Sequence, residues 1–161
     1  MSREMRRKER QMNEEQVRSL IAKGNTGILS LNGENGYPYS VPVNYVYFND
    51  AIYIHGSVEG RKVDLIKADS RACFCSIVNS EILVDKLTAA YESFIAVGTA
   101  EMVEDRAEKE EVLKYIVDSL SVPEFQEKGY GMVAKMLDRT GIIKFSIEEV
   151  SGKANGNSRW E

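Results

Sequence analysis

One segment of the chain combines residue types that could hold a phosphate group. An apolar, β-favouring stretch leads into a polar turn, and two adjacent cations then open a helical pattern. The residues concerned are His55, Gly56, Ser57, Gly60, Arg61 and Lys62. Glycine lets the backbone approach a ligand closely, and the N–H groups at a helix start attract anions. Arg61 adds a planar two-pronged donor, and Lys62 adds a mobile positive charge. The segment predicts a phosphate site; the alternative is a plain strand–turn–helix connection with solvated cations.

His55 is the only histidine in the chain, and it lies at the end of the predicted strand. An imidazole commonly titrates near neutral pH, so it can donate a proton or hydrogen-bond to a ligand. We therefore treat His55 as a candidate catalytic residue and as a candidate ligand contact. The alternative is a structural histidine whose ring hydrogen-bonds to the backbone of the turn.

The composition is that of an ordinary globular protein, and we expect a single domain over residues 1–161. Of the 161 residues, 43% are hydrophobic and 29% charged, which is enough for one packed core. The net charge of −4 argues against a nucleic-acid binder, which needs a basic face. Five cations lie among the first ten residues. We expect residues 1–12 to form a basic strap against the acidic body or a partner subunit; the alternative is a cationic tail that touches RNA or lipid.

Neither a membrane span nor a metal site is expected. No apolar run approaches the ~20 residues that cross a bilayer, and the N-terminus lacks the apolar core of a signal peptide. Cys73 and Cys75 would share one face of a strand. They could ligate a metal, but the chain has no second cysteine pair, so small core residues are the favoured interpretation. Free thiols fit a reducing cytoplasm, which is the predicted location.

Hydrophobic periodicity and turn residues predict six strands with flanking helices. A capping box at Asn13 starts the first helix, Asn49-Asp50 forms a two-residue turn, and Gly98 marks a bulge or a close backbone approach in a long strand. The predicted strands are 26–31, 39–48, 51–54, 71–78, 91–103 and 141–150. Further helices are predicted from 61 to about 69, over 105–120, and from Pro123 with a break at 129–131, and residues 151–161 are expected to form a polar tail.

Six mostly antiparallel strands suggest a small closed barrel, because closure removes exposed strand edges. The interior of such a barrel is narrow enough for side chains to fill. A planar ligand would therefore bind outside the barrel wall, where a neighbouring subunit could cover it.

Several segments together resemble the pyridoxamine 5′-phosphate oxidase-like flavoproteins with an FMN-binding split barrel, and in particular the nitroimidazole-resistance (Nim-type) branch. The matching segments span almost the whole chain in the right order: Arg6 to Arg10, Tyr39 to Tyr45, Ile52 to Ser57, Gly60 to Lys62, Tyr91 to Ser93, Val97 to Glu101 and Ser151 to Lys153. The Gly-Arg-Lys turn is the most specific of them. The resemblance implies a mainly β fold with flanking helices, a six-stranded antiparallel split barrel of the FMN-binding type.

The resemblance also implies a homodimer that holds FMN at its subunit interface. The strand-end turn would bind the phosphate, the second strand would lie along the flavin ring, and Ser93 would approach the ring from one of the two subunits. The cofactor-binding residues implied in this way are Val41, Pro42, Val43, Asn44, Tyr45, His55, Gly56, Ser57, Arg61, Lys62 and Ser93. Pro42 cannot donate to a ladder, which independently marks an edge, a bulge or a ligand approach. For Val41 and Val43 the alternative is core packing.

Three function classes follow. The resemblance favours an FMN-dependent oxidoreductase of small molecules, with nitro-group reduction as the implied reaction. Activity on pyridoxamine phosphate itself is not expected, because the extended C-terminal signature of the true oxidases is missing. The second class is a non-catalytic flavin- or haem-binding module with His55 as the candidate haem ligand. The third, a nucleic-acid-binding regulator that uses the basic N-terminal segment, is disfavoured by the acidic body.

Overall fold

Within residues 4–156, which the computed structural model describes, the chain forms eight strands and four helices. The strands are β1 (Gln11–Met12), β2 (Thr26–Asn32), β3 (Pro38–Asn44), β4 (Val46–Phe48), β5 (Ala51–Ser57), β6 (Arg71–Leu83), β7 (Thr88–Met102) and β8 (Thr140–Asn155). The helices are α1 (Glu14–Lys23), α2 (Arg61–Ala68), α3 (Arg106–Leu120) and α4 (Pro123–Met136).

All the strands belong to one antiparallel sheet that curls on itself. Its order is β3-β2-β6-β7-β8-β5-β4, and β1 pairs with β8. The two end strands, β3 and β4, are consecutive in the chain and separated only by Tyr45. The sheet must therefore curl until its edges meet at Tyr45. No ladder among the described residues joins β3 to β4 or β5, so the curled sheet stays open along this seam, consistent with a split barrel.

The inside of the curled sheet is an aromatic core. Tyr45, Phe74, Phe94 and Phe145 are all buried. Tyr45 meets Phe74 edge-on with ring centroids 5.1 Å apart, a favourable geometry for aromatic pairs. The Tyr45 hydroxyl donates to the Ile21 carbonyl at 2.8 Å, and burial raises the pKa of this phenol. The residue at which the sheet edges meet therefore also fastens α1 to the core.

A second, smaller core lies on the outer side of β4 and β5, under α3 and α4. Its buried members are apolar: Val46, Ala51, Tyr53, Val112, Leu113, Val133, Leu137 and Ile142. Glu108 of α3 accepts hydrogen bonds from the Lys144 ammonium at 2.8 Å and from the Tyr53 hydroxyl at 2.9 Å. These donors, Lys144 first, lower the pKa of Glu108. The carboxylate therefore stays charged and ties α3 to the sheet.

The predicted count of six strands is wrong, because one predicted strand divides and a short one is added. The strand predicted over 39–48 breaks at Tyr45, whose side chain turns into the core where the sheet edges meet. Its two halves pair with different partners, β3 with β2 and β4 with β5. The added strand is β1, in which Gln11 lies opposite Lys153 of β8. The predicted N-terminal strap of residues 1–12 thus includes a strand of the sheet.

Three predicted element boundaries also change. The strands β6 and β7 form a longer hairpin than expected, paired as far as Leu83 and Thr88. Residues 151–155, expected in the polar tail, belong to β8 because they pair with β7. Residues 157–161, including Trp160, lie outside the described residues. Helix α4 runs through 129–131 without the predicted break.

The register between β7 and β8 shifts between Val97 and Gly98, but the extra residue of this bulge, Glu148, lies in β8 and not in the strand that contains Gly98. A Cβ added at Gly98 would overlap the carbonyl oxygen of Ser146. We expect Gly98→Ala to lower the free energy of unfolding by about 1–3 kcal/mol, as overpacking usually does. Urea denaturation measures the change.

The matched control is Gly131→Ala in α4. A Cβ at Gly131 would meet nothing within 4 Å, and alanine favours a helix interior over glycine by roughly 0.5–1 kcal/mol. The two substitutions should therefore change stability in opposite directions. A stabilised Gly98→Ala variant would show that the two strands are not in close contact at the bulge.

Candidate functional site

The predicted phosphate turn connects the end of β5 to the start of α2. Gly60 has a φ of +117°, a conformation that glycine adopts without strain. It provides no side-chain cap, so the first N–H groups of α2 have no partner within the helix and remain available to an anion. The Ser57 hydroxyl accepts a hydrogen bond from the Glu59 N–H at 3.2 Å, which holds the turn in place.

Arg61 and Lys62 reach from α2 toward two different strands. The Arg61 guanidinium lies over the ring of Tyr39 in β3, 4.9 Å from its centroid. A Cβ built on Gly56 of β5 would lie 3.5 Å from Lys62 Nζ. Neither cation has a carboxylate partner within the part of the chain that the structure describes. The helix start, both cations, β3 and the end of β5 thus come together at the seam of the curled sheet.

The residues of β3 alternate between the core and the outside. Val41 and Val43 are half-buried and pack against the aromatic core, so the core interpretation holds for both. Pro42 and Asn44 are exposed on the opposite face. If this strand lines a flavin ring, these two are the side chains that can touch it. Tyr45 is only 2% exposed. Its hydroxyl already bonds to α1 and its N–H donates to the Asn25 carbonyl at 2.9 Å, so neither group is available to a ligand.

His55 is exposed and lies on the opposite face of β5 from Lys62. Ala51 and Tyr53 belong to the outer core under α3, whereas Ile54 belongs to the inner one. Because side chains alternate along a strand, His55 shares the outer face, while the Cβ position of Gly56 points toward Lys62. No residue among 4–156 hydrogen-bonds to the imidazole. A single ligand that contacts Lys62 and His55 would have to pass around the end of β5.

Ser93 lies far from the phosphate turn. It is opposite Lys153 of β8, whereas Gly56 is opposite Gly141 at the other end of the same strand. The twelve residue-to-residue steps from 141 to 153 correspond to about 40 Å of extended strand. The structure therefore brings the turn and β3 together and places Ser93 apart from them, beside a cavity of about 560 Å³.

The cysteine pair differs from its predicted role. Cys73 and Cys75 share one face, as predicted, and both are free. They are half-buried on the outer face of β6 and do not belong to the core. Burial raises the pKa of both thiols, and the charge of Cys75 raises that of Cys73 further. These thiols are therefore weak nucleophiles at neutral pH.

The described residues contain neither a metal-binding cluster nor a membrane-spanning helix. No group of three or more His, Cys, Asp or Glu side chains among them is arranged to hold a metal ion. None of the helices that the structure describes has the length and hydropathy of a membrane span.

Three residues of interest are not among the candidate site residues that the sequence analysis identifies. Tyr39, Val41 and Val43 occupy alternate positions of one strand. This spacing predicts that Tyr39 lies on the same face as the two valines. Gln11 and Lys153 line the cavity beside Ser93, but they are neighbours only because β1 pairs with β8. No local sequence pattern links two positions 142 residues apart.

Comparison with solved structures shows that other proteins share this fold. One similar structure is a protein from Bacteroides thetaiotaomicron provisionally assigned to 5-nitroimidazole antibiotic resistance; it is 21% identical, aligned over 89% of this chain and 85% of its own, with a TM-score of 0.72. The flavocytochrome Anf3 from Azotobacter vinelandii is 23% identical over 96% and 73%, with a TM-score of 0.79. The FAD and heme binding protein from Mycobacterium smegmatis is 19% identical over 91% and 74%, with a TM-score of 0.67.

Comparison with sequences identifies the family. A search of curated proteins found no match. A family model described as pyridoxamine 5′-phosphate oxidase matches residues 13–154, which include β2 to β7, all four helices and most of β8. The chain therefore belongs to the pyridoxamine 5′-phosphate oxidase family.

Proposed function

We propose that this protein is an FMN-binding flavoprotein that acts as an oxidoreductase on small molecules. The observation that carries the proposal is the uncapped start of α2 with Arg61 and Lys62 beside it, both without a carboxylate partner among residues 4–156. Such a site suits a phosphate monoester, which offers several acceptor oxygens and negative charge. Bound FMN would supply the redox chemistry, while the protein positions the ring and tunes it.

The site proposed here needs a second copy of the chain. The phosphate turn and Ser93 lie at opposite ends of β8, separated by a contour of about 40 Å that is far longer than an FMN molecule. A row of apolar or weakly polar side chains crosses the outer face between β3 and β7: Pro42, Ile28, Cys75 and Ile95. Ile28 is 41% exposed and Ile95 45%. We infer a homodimer in which this row is covered and FMN lies between the subunits.

Nitro-group reduction is the finer proposal for the reaction. Its support is the likeness to the Bacteroides protein with the nitroimidazole-resistance assignment, together with the Nim-type pattern of residues from Tyr39 to Lys62. The test is anaerobic: protein whose flavin has been reduced is mixed in at least threefold molar excess with a 5-nitroimidazole, because the amine requires six electrons and each flavin supplies two. Flavin reoxidation and the amine product are measured. If the reduced flavin is reoxidised by oxygen but does not react with the nitro compound, nitro compounds are ruled out as substrates.

A non-catalytic flavin or haem module is the second candidate. Two similar structures are a flavocytochrome and an FAD and heme binding protein. His55 is exposed and has no hydrogen-bond partner among residues 4–156, so its imidazole is free to bind iron. A haem absorption band that disappears in His55→Ala would favour this candidate over FMN.

The proposed cofactor is tested by an absorbance spectrum of the freshly purified protein and by the mass of the ligand that it releases on denaturation. We expect the released ligand to be FMN. Release of FAD or haem would contradict FMN as the cofactor. Light scattering on the same preparation should give the mass of a dimer. A flavin-loaded monomer would contradict the shared site.

His55→Ala should keep the fold and most of the flavin, because the phosphate contacts lie on the other face of β5. If the imidazole lies beside the substrate, turnover with an electron acceptor should fall and its pH dependence should change. Melting temperature and flavin reoxidation rate, measured on one preparation, separate the two roles. A lower melting temperature with normal reoxidation would make His55 a structural residue.

A further inference from the structure

We propose that Tyr39 sets the preference of this protein for a phosphorylated flavin over an unphosphorylated one, because its ring holds Arg61 where the phosphate binds. This role depends on the proposed function, since it concerns the same phosphate turn. Tyr39 is a positioning residue that acts through Arg61 and does not itself have to touch the ligand.

Arg61 has few contacts of its own. It is the exposed first residue of α2, and its side chain makes neither a salt bridge nor a hydrogen bond among residues 4–156. An arginine side chain loses much rotamer freedom when a ligand fixes it, and that loss weakens binding. The ring of Tyr39, whose centroid lies 4.9 Å from the guanidinium carbon, restricts the side chain before a ligand arrives.

Tyr39 is itself held by the core of the curled sheet. It is half-buried on the same face of β3 as Val41 and Val43, and it packs against the aromatic core. Its partner across the ladder in β2 is Leu31, which is 2% exposed. An aromatic side chain has only two rotatable angles. The ring therefore gives the guanidinium a support that is fixed to the sheet and not to the turn.

The contact with Tyr39 leaves the donors of Arg61 available. An aromatic ring attracts a cation through the negative face of its π-system, which takes up no conventional hydrogen-bond donor. A guanidinium carries five N–H groups in a planar fork, and none of them donates to another residue within the part of the chain that the structure describes. Arg61 can therefore stay against the ring while its fork binds two phosphate oxygens.

The contact also crosses the seam of the curled sheet. Tyr39 lies on β3, whereas Arg61 follows β5, and no ladder among the described residues joins these two strands. The pair therefore links the strand proposed to line the flavin ring with the turn proposed to bind the phosphate. Lys62 has no aromatic partner among residues 4–156, so only the contribution of Arg61 should depend on Tyr39.

The experiment compares FMN with riboflavin, which has the same ring system and no phosphate, by fluorescence titration of the full chain. A form of Tyr39→Phe in which the ring is fluorinated keeps the shape of the side chain and removes the negative face. The other variants are Tyr39→Phe, Tyr39→Leu, Arg61→Ala and the double variant Tyr39→Leu with Arg61→Ala. The control is Tyr37→Leu, because Tyr37 is a nearby tyrosine that is 78% exposed.

We expect Tyr39→Leu and the fluorinated ring to weaken FMN binding about three- to tenfold, the usual range for losing a cation–π contact, and to leave riboflavin binding unchanged. Tyr39→Phe keeps the aromatic face and should stay within about twofold of the wild type, as should Tyr37→Leu. In the Arg61→Ala background, Tyr39→Leu should have no further effect on FMN, because the two residues act through one contact.

Two results would overturn this role for Tyr39 while the wild type binds FMN and Arg61→Ala weakens it. One is an unchanged FMN affinity with the fluorinated ring, which decides the question even where Tyr39→Leu fails to fold. The other is an equal loss of FMN and riboflavin, which would show that Tyr39 supports β3 and not Arg61. Wild-type protein that does not bind FMN would instead defeat the proposed function, and the role of Tyr39 with it.

Discussion

Replacing Arg61 and Lys62 together by alanine is expected to weaken FMN binding by roughly two to four powers of ten. Each charge-assisted contact to a phosphate contributes about 1.5–3 kcal/mol, so two contacts correspond to roughly 3–6 kcal/mol. The fold should be unaffected, because neither side chain is buried in a core. Isothermal titration of the apoprotein with FMN measures the loss.

The single variants and a control sharpen this result. Lys62→Ala alone should have the milder effect, since water replaces a flexible ammonium more easily than a planar guanidinium. Lys67→Ala removes an exposed cation in the last turn of the same helix and should leave affinity within about twofold, because helix-end charges act over only about one turn. Equal losses of FMN affinity in Lys67→Ala and Arg61→Ala would show that these cations attract FMN through general electrostatics and not through a specific phosphate site.

Phe74→Ala is expected to lower the free energy of unfolding by about 3–5 kcal/mol, the usual cost of deleting a buried aromatic ring. Phe74 is 0% exposed, and its ring lies 5.1 Å from that of Tyr45 and 6.2 Å from that of Phe94. A cavity at this position would loosen the point at which the sheet edges meet. Urea denaturation followed by circular dichroism measures the loss.

The matched control for Phe74 is Phe125→Ala on α4. Phe125 is 60% exposed, so its removal should change stability by no more than about 0.5 kcal/mol. A loss as large as that of Phe74→Ala would indicate that Phe125 is covered in solution, for example by a second copy of the chain.

Local signals in the sequence predict much of this fold. The capping box is present in both directions, with Asn13 and Gln16 each accepting a backbone hydrogen bond at 2.9 Å. Asn49 and Asp50 both have positive φ, as a two-residue hairpin turn requires. Helix α2 begins at Arg61, as the cation pattern predicts. These features depend on a few neighbouring residues, which is why the sequence alone is sufficient.

The features that the sequence does not predict depend on distant contacts. The β6–β7 hairpin extends to a turn at Leu87, a residue in the left-handed region that carries none of the usual turn signals. Gly129 is a packing residue of α4, because a Cβ there would overlap Val117 of α3. The outward position of Cys73 and Cys75 follows from which face of β6 meets the core. In each case the deciding partner lies on another element.

The candidate site also combines features set by neighbouring residues with features set by distant contacts. The turn from Gly56 to Lys62 is local, and its geometry follows from the residues themselves. The separation of Ser93 from that turn follows from the register of β8, which no short pattern encodes. The sequence alone therefore predicts the local geometry of the turn, but it does not predict that Ser93 lies at the other end of β8.

The pairing of β1 with β8 also sets an order of events during synthesis. Gln11 lies opposite Lys153, so β1 has no partner until almost the whole described chain has left the ribosome. The β6–β7 hairpin, in contrast, joins neighbouring segments and can form early, because short loops close at low entropic cost. The cavity that contains Gln11 therefore forms later than the β6–β7 hairpin, and slow translation of β8 would delay it selectively.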